Sequence, residues 1–199
     1  MSEKVRVAVV ALQGDFERHQ DVLRDLGAQA ISARLPSDIR GADAIILPGG
    51  ESTTIGKLMA RYGLDLAIRE AAGAGKPIYG TCAGLILLAT EIEASTAERG
   101  GQSTLGLLDV TVARNAFGRQ VDSFEADIPV DVLGSQPLHA VFIRAPYVTR
   151  TGPGVDVLAQ HGDKIVFVRQ GRIMGSAFHP ELGTDYRVHR LFLSLADGN

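Results

Sequence analysis

The stretch KPIYGTCAGLILLA, residues 76–89, passes from a short apolar strand-like run through Gly80-Thr81-Cys82-Ala83-Gly84 into an apolar run of helical character. A sharp strand-to-helix turn of this G-x-nucleophile-x-G form lifts the central side chain out of the backbone, and it needs glycines where other Cβ atoms would collide. The helix that follows aims the partial positive charge of its amino terminus at the sulfur, an arrangement that favours a thiolate. Cys82 is the one cysteine of the chain, which excludes an internal disulfide and a multi-thiolate zinc site. Two readings stay open from the pentapeptide: a reactive thiol held up for chemistry, or a small apolar filler beside glycines chosen for packing.

Outward from the elbow, the amino-terminal half repeats one rhythm. Residues 5–12 (VRVAVVAL) are β-branched and apolar on both alternating faces, which suits a buried parallel strand. Gln13-Gly14-Asp15 breaks that run, and residues 15–26 place Phe16, Val22, Leu23 and Leu26 on one helical face before Gly27 stops it. Strands are expected at 29–33, 42–47 and 77–79, and helices at 53–72 and 83–90. Such alternation implies a parallel sheet with helices on both faces and a site beyond the carboxyl ends of its strands.

After residue 90 the pattern changes. EIEASTAERGGQS, residues 91–103, is polar, and strand-like stretches follow at 107–112, 123–132, 140–143, 155–160, 165–169 and 172–178. The turn signals HGDK (161–164) and RQGR (169–172) mark the later ones as antiparallel additions to the same sheet. A helix over 186–196 closes the chain. The expected fold class is α/β: a three-layer open mixed sheet, mostly parallel in its first half with antiparallel additions, in one domain over residues 1–199.

The 199 residues are 45% hydrophobic and 22% charged, with a net charge of −3, so no general electrostatic attraction to nucleic acid or anionic membrane is expected. The chain shows neither a secretory pattern at its start nor an apolar run long enough to span a bilayer, and a cytoplasmic location is expected.

A thiol nucleophile needs a base and a group that orients the base. Of five histidines, His179 in GSAFHPEL stands out: Pro180 keeps it extended, and the two-residue step lets Glu181 approach the same region. His19, His139, His161 and His189 are read as ordinary structural histidines. A third stretch, ILPGGESTT at 46–54, runs from strand into a glycine pair and then a helix capped by Ser52 or Thr53. Backbone N–H groups at such a turn can donate to a developing oxyanion. Three strand ends carrying a nucleophile, a base and oxyanion donors would converge on one sheet edge.

With these residues in place, the sequence resembles the class I, triad-type glutamine amidotransferases through GTCAGL and FHPE. Within that class it resembles the glutaminase subunits of pyridoxal 5′-phosphate synthases through ALQGDFERH (11–19), LPGGEST (47–53), ARNAFGRQVDSFE (113–125) and FIRAP (142–146). The resemblance implies hydrolysis of L-glutamine to glutamate and ammonia, with the ammonia passed to a synthase subunit. It implies Cys82 as nucleophile, His179 and Glu181 completing a triad, and the Gly50 and Ala83 amides as the oxyanion hole. Glutamine contacts map onto Gly50, Glu51, Ser52, Arg114, Ile143 and Arg144, and Gln13 onto the junction with the synthase. No metal or cofactor is implied. The polar segment 93–103 and ELGTD (181–185) depart from the family pattern without touching a triad position. A glutaminase feeding a different synthase, and a non-catalytic partner-binding subunit, are the alternatives.

Overall fold

The computed structural model describes residues 4–93, 102–114 and 123–196. Strand β1 (Arg6–Val10) is buried at four of its five positions because it is paired on both edges and covered on both faces. Helix α1 (Phe16–Asp25) buries His19, Gln20, Val22 and Leu23 and leads into β2 (Gln29–Ala33). A short helix α2 (Pro36–Arg40) precedes β3 (Ala44–Leu47), and α3 (Ser52–Tyr62) and α4 (Leu64–Gly73) precede β4 (Ile78–Thr81). Helix α5 (Ala83–Leu88) runs directly into β5 (Ala89–Ile92). Then come β6 (Leu108–Ala113), β7 (Ser123–Ile128), β8 (Leu138–Ile143), β9 (Tyr147–Thr151), β10 (Asp156–His161), β11 (Lys164–Gln170), β12 (Ile173–Ser176) and α6 (Arg187–Ala196).

The main sheet has the order β2-β1-β3-β4-β12-β11-β9-β6-β5, with β10 paired to β11. From β2 to β12 all neighbours are parallel; β11 pairs antiparallel with β12, β10 and β9, and β9 with β6. The mixed α/β sheet anticipated from the sequence is therefore present. Helix α5 packs on one face, where Gly80 and Gly175 let its backbone and Leu85 come close. The other face of β4 turns Tyr79 and Thr81 toward α1 and α6, as the contacts of Tyr79 with Phe192 and of Thr81 with His19 show.

Several expectations need correction. The single helix over 53–72 is two helices, because Gly63 adopts φ 74° and its N–H closes the end of α3 on the Ala60 and Met59 carbonyls. The helix over 83–90 ends at Leu88, since residues 89–92 pair in parallel with β6. The strand over 123–132 stops at Ile128, and β7 and β8 form a separate two-stranded sheet. Its register sets Phe124 opposite Phe142, and the rings stack at 4.5 Å. Helix α2 and strand β9 were not anticipated. The segment 93–103 falls mostly, and the centre of ARNAFGRQVDSFE wholly, outside the described residues.

Candidate active site

The register of the parallel strands brings the site together. Leu47 of β3 pairs with Gly80 of β4, and Thr81 of β4 pairs with Ser176 of β12, so three adjacent strands end at one edge. Beyond β3 lies the Pro48-Gly49-Gly50 loop, beyond β4 lies Cys82, and beyond β12 lies His179. Strand β1 pairs with β3 and delivers Gln13 and Gly14 beside the same loop.

Cys82 stands at the amino cap of α5 with φ 50°, a backbone region that costs a non-glycine residue free energy and persists where the surroundings enforce it. The enforcement is visible. Its N–H donates to the Ser176 carbonyl at 2.7 Å, and Ser176 Oγ is 2.8 Å from the buried Tyr79 hydroxyl. The flanking glycines answer a steric demand: a Cβ on Gly80 would lie 2.5 Å from the Gly84 carbonyl, and one on Gly84 would lie 2.1 Å from the Leu47 oxygen. The elbow thus exists as the sequence suggested. The Cys82 sulfur sits 3.7 Å from the Ile143 carbonyl oxygen and interacts with the His179 ring.

His179 has φ −108° and ψ 89°, the extended form that Pro180 imposes, and its N–H donates to the Val141 carbonyl at 2.8 Å. The 3₁₀ turn Pro180–Leu182 then brings Glu181 back under the imidazole, with Nδ1 and Oε1 2.7 Å apart. Burial alone would lower the His179 pKa, but hydrogen bonds and charge from Cys82 and Glu181 outweigh it and raise it to about 10. Burial alone would raise the Glu181 pKa; the neighbouring His19 and His179 and the hydrogen bonds it accepts hold it at about 2. The site therefore holds a carboxylate behind an imidazole beside a thiol, a set that can move a proton away from sulfur and back.

The loop after β3 is fixed from three sides. A Cβ on Gly49 would lie 2.3 Å from His179 Cε1, and one on Gly14 would lie 1.8 Å from the Gly49 oxygen. Gly50 has φ 150°, and the Gln13 side-chain oxygen accepts from the Glu51 N–H at 2.7 Å. Gln13 thus buttresses this loop. The cap of α3 is Glu51 and not Ser52 or Thr53: its carboxylate accepts from the Thr53 and Thr54 N–H groups at 3.0 and 2.7 Å. Burial is the largest single influence and would raise the Glu51 pKa, but the hydrogen bonds from Thr53 and Thr54 together outweigh it and lower the pKa. Ser52 and Thr53 instead face Arg114, whose Nη2 donates to their hydroxyl oxygens at 2.8 and 3.2 Å. Ala83 opens α5 next to Cys82 and is buried. Ile143 reaches the thiol through its carbonyl, and Arg144 follows with φ 43°, an exposed non-glycine residue in left-handed backbone at the rim of the site.

Three residues of this region were not anticipated. Gln102 accepts from the Ser52 and Thr53 hydroxyls at 3.1 and 3.2 Å. His19 and His189, read from sequence as ordinary, are fully buried and lie within 3.0 Å of each other behind Glu181. The available signal was their position: His19 shares the apolar face of Phe16, Val22 and Leu23, and His189 that of Phe192 and Leu193. Of the remaining histidines, His139 is exposed between Asp127 and Glu125, and His161 packs against Phe124 and Phe142. Among the described residues no group of three or more His, Cys, Asp or Glu is arranged to hold a metal ion, and no helix is long and apolar enough to cross a membrane.

The fold and the sequence as a whole have counterparts among known proteins. Over residues 9–196 the chain matches the model of the SNO glutamine amidotransferase family. It is 53% identical over 189 residues to pyridoxal 5′-phosphate synthase subunit PdxT of Pelotomaculum thermopropionicum, covering 95% of this chain and 94% of that protein. It is likewise 53% identical over 191 residues to PdxT of Thermus thermophilus, covering 96% and 97%. A crystal structure of a glutamine amidotransferase superposes with a TM-score of 0.88 at 50% identity, covering 96% of this chain and 98% of that one. On this evidence the chain belongs to the SNO glutamine amidotransferase family.

Proposed function

We propose that this chain is the glutaminase subunit of a pyridoxal 5′-phosphate synthase. It hydrolyses L-glutamine to L-glutamate and ammonia, and the ammonia passes to a synthase partner. The observation that carries the chemistry is the elbow cysteine set against an imidazole whose Nδ1 is 2.7 Å from a buried carboxylate. The choice of synthase rests on the near full-length similarity to proteins named PdxT.

In this reading His179 takes the Cys82 proton, and the sulfur attacks the side-chain carbonyl carbon of glutamine. The oxyanion so formed accepts from the Gly50 and Ala83 N–H groups. Collapse breaks the C–N bond, His179 gives its proton to the leaving nitrogen, and ammonia departs from a thioester. Water then loses a proton to His179 and attacks the thioester, releasing glutamate and returning the proton to sulfur. Glu181 holds the imidazole in the tautomer that presents Nε2 to the thiol and stabilises the imidazolium. Ser52, Arg114, Ile143, Arg144 and the Gly50-Glu51 backbone line the glutamine site, the Glu51 carboxylate being committed to capping α3. Gln13 stands where the partner docks. The whole chain acts as one domain, a reading supported by a hydrophobic core continuous from Val7 to Leu193. Its workplace is the cytoplasm, where a lone thiol stays reduced.

The test is glutamate release from glutamine by the chain mixed with a synthase subunit, and pyridoxal phosphate formation when the sugar phosphate substrates of that subunit are added. Cys82→Ala abolishes both while glutamine binding persists. A Cys82→Ala protein that still releases glutamate at the native rate refutes the mechanism. A native chain that supports pyridoxal phosphate formation from added ammonia but never hydrolyses glutamine is the non-catalytic subunit instead.

A further inference from the structure

Glu181 has two carboxylate oxygens, and the triad accounts for one. Oε1 accepts from His179, whereas Oε2 is buried and has no hydrogen-bond partner within ordinary geometry among the described residues. The group that faces Oε2 is His19, whose Nε2 stands 3.4 Å away, with both side chains fully shielded from solvent. The same Nε2 lies 3.2 Å from Thr81 Oγ1, and His19 Nδ1 lies 3.0 Å from His189 Nε2. His189 Nδ1 ends the row, buried and unpartnered.

The arrangement leaves two tautomer sets, and electrostatics separates them. If His19 carries its proton on Nδ1, Nε2 accepts from the Thr81 hydroxyl yet turns its lone pair toward a carboxylate oxygen at 3.4 Å, and His189 must leave an N–H donor orphaned at Nδ1. If His19 carries it on Nε2, the N–H lies between Thr81 Oγ1 and the carboxylate oxygen, His189 donates from Nε2, and the orphan is an acceptor, the less costly kind. The second set satisfies more of the buried charge. Burial outweighs the pull of Glu181 and lowers the His19 pKa, so His19 presents a dipole and not a full charge. His189 is lowered to about 3 by burial and by His19.

We infer that His19 is a positioning residue for the glutaminase reaction: its Nε2–H, shared with Thr81 Oγ1, turns a buried dipole toward the second oxygen of Glu181, and His189 fixes the tautomer that makes this possible. The inference rests on the proposed glutaminase reading. A carboxylate held at one oxygen can rotate about its last torsion when His179 gains a proton; an N–H dipole facing the second oxygen opposes that rotation. The row Cys82-His179-Glu181-His19-His189 thus draws on the turn after β4, the turn after β12, and the helices α1 and α6. The titratable groups facing His19 are Glu181 and His179, His189 from α6, and Asp15 before α1. Those facing Glu181 are His19, His179, and Tyr79 and His189 behind them.

The test compares two variants in the complex with the synthase subunit. His19→Gln keeps an N–H donor near the Nε2 position; His19→Leu keeps apolar bulk and removes the donor. Positioning predicts that His19→Leu loses kcat by about tenfold to a hundredfold, the scale of one hydrogen bond to a charged group. KM for glutamine stays within about twofold of native, and the acid limb of kcat moves to higher pH as Glu181 loses its support. His19→Gln restores most of the rate and the limb. A packing role predicts the opposite order, Leu equal to or better than Gln, with the pH limb unmoved, and that result overturns the inference while leaving the Cys82→Ala result intact. If either variant fails to fold, nitrogen-15 imidazole spectra of the native protein decide: a neutral His19 protonated on Nε2 supports the inference, and a His19 protonated on Nδ1 refutes it. Neither spectrum depends on turnover.

Discussion

His179 Nδ1 and Glu181 Oε1 are 2.7 Å apart, with side chains 5% and 0% exposed, although only Pro180 separates them in sequence. Glu181→Gln keeps the shape of this contact but offers an amide N–H where the carboxylate accepted one, and so favours the wrong imidazole tautomer. His179→Asn removes the base itself. Glutaminase kcat in the complex is expected to fall nearly as far in His179→Asn as in Cys82→Ala, and about one to two orders of magnitude less in Glu181→Gln. The ordering is checked by steady-state glutamate release; a harmless Glu181→Gln would move the orienting role to another acid.

The buried histidines predict acid lability. The His189 pKa falls from 6.5 unfolded to about 3 folded, so between those values the unfolded chain binds the extra proton and stability rises with pH. Glu181, lowered from 4.5 to about 2, contributes with the same sign between those values, its stabilisation being lost as pH falls. His179, raised from 6.5 to about 10, acts oppositely, its share being lost as pH rises through that window. Stability is therefore expected to peak near neutrality and to decline on acidification by up to about 1.4 kcal/mol per pH unit for each buried group. Urea titrations between about pH 4 and pH 7 measure the slope, and His189→Gln should flatten it. An equal slope in that variant removes His189 from the account.

Arg114 organises the hydroxyls of Ser52 and Thr53 at 2.8 and 3.2 Å. Arg114→Ala is expected to raise KM for glutamine by about tenfold or more with kcat little changed, because the lost contact serves ground state and transition state alike. Saturation curves in glutamine distinguish this from a loss confined to kcat.

Much of this site was legible in the sequence because its chemistry sits on local punctuation. A strand, a glycine, a cysteine and a helix in direct succession have few steric solutions, and Pro180 constrains His179 from one residue away. The converging edge could be foreseen from three strand ends carrying a glycine pair, a cysteine and a histidine, whereas the parallel pairing of β12 with β4 could not, because β12 lies among strands read as antiparallel additions. What escaped depends on long-range packing. His19 and His189 are 170 residues apart, and their contact exists only because α1 and α6 cover the same face of β4. The break at Gly63 turns on one left-handed residue inside a pattern that stays helical on both sides. The separate β7-β8 sheet reads like any other hairpin until the Phe124 and Phe142 rings are seen to stack with each other instead of extending the main sheet.

The last expectation concerns Gln13, which joins the proposed docking face to the oxyanion loop. Its side-chain oxygen accepts from the Glu51 N–H at 2.7 Å, and a Cβ on Gly50 would lie 2.6 Å from that same oxygen, so the Gly50-Glu51 peptide and the glutamine side chain share one tight space. A partner that presses on Gln13 therefore acts on the peptide whose neighbouring N–H, that of Gly50, is the proposed donor to the oxyanion. One misdirected donor of this kind costs roughly 10²–10³ in rate. The isolated chain is expected to be a very poor glutaminase, and addition of the synthase subunit to raise kcat by about that factor at saturating glutamine. Gln13→Ala should narrow the difference, since the partner then has no side chain through which to set the loop. Gln13→Ala must be assayed with binding to the synthase measured in parallel, so that lost docking is not counted as lost coupling. Equal rates for the native chain with and without the synthase would end activation by docking and leave an independent hydrolase.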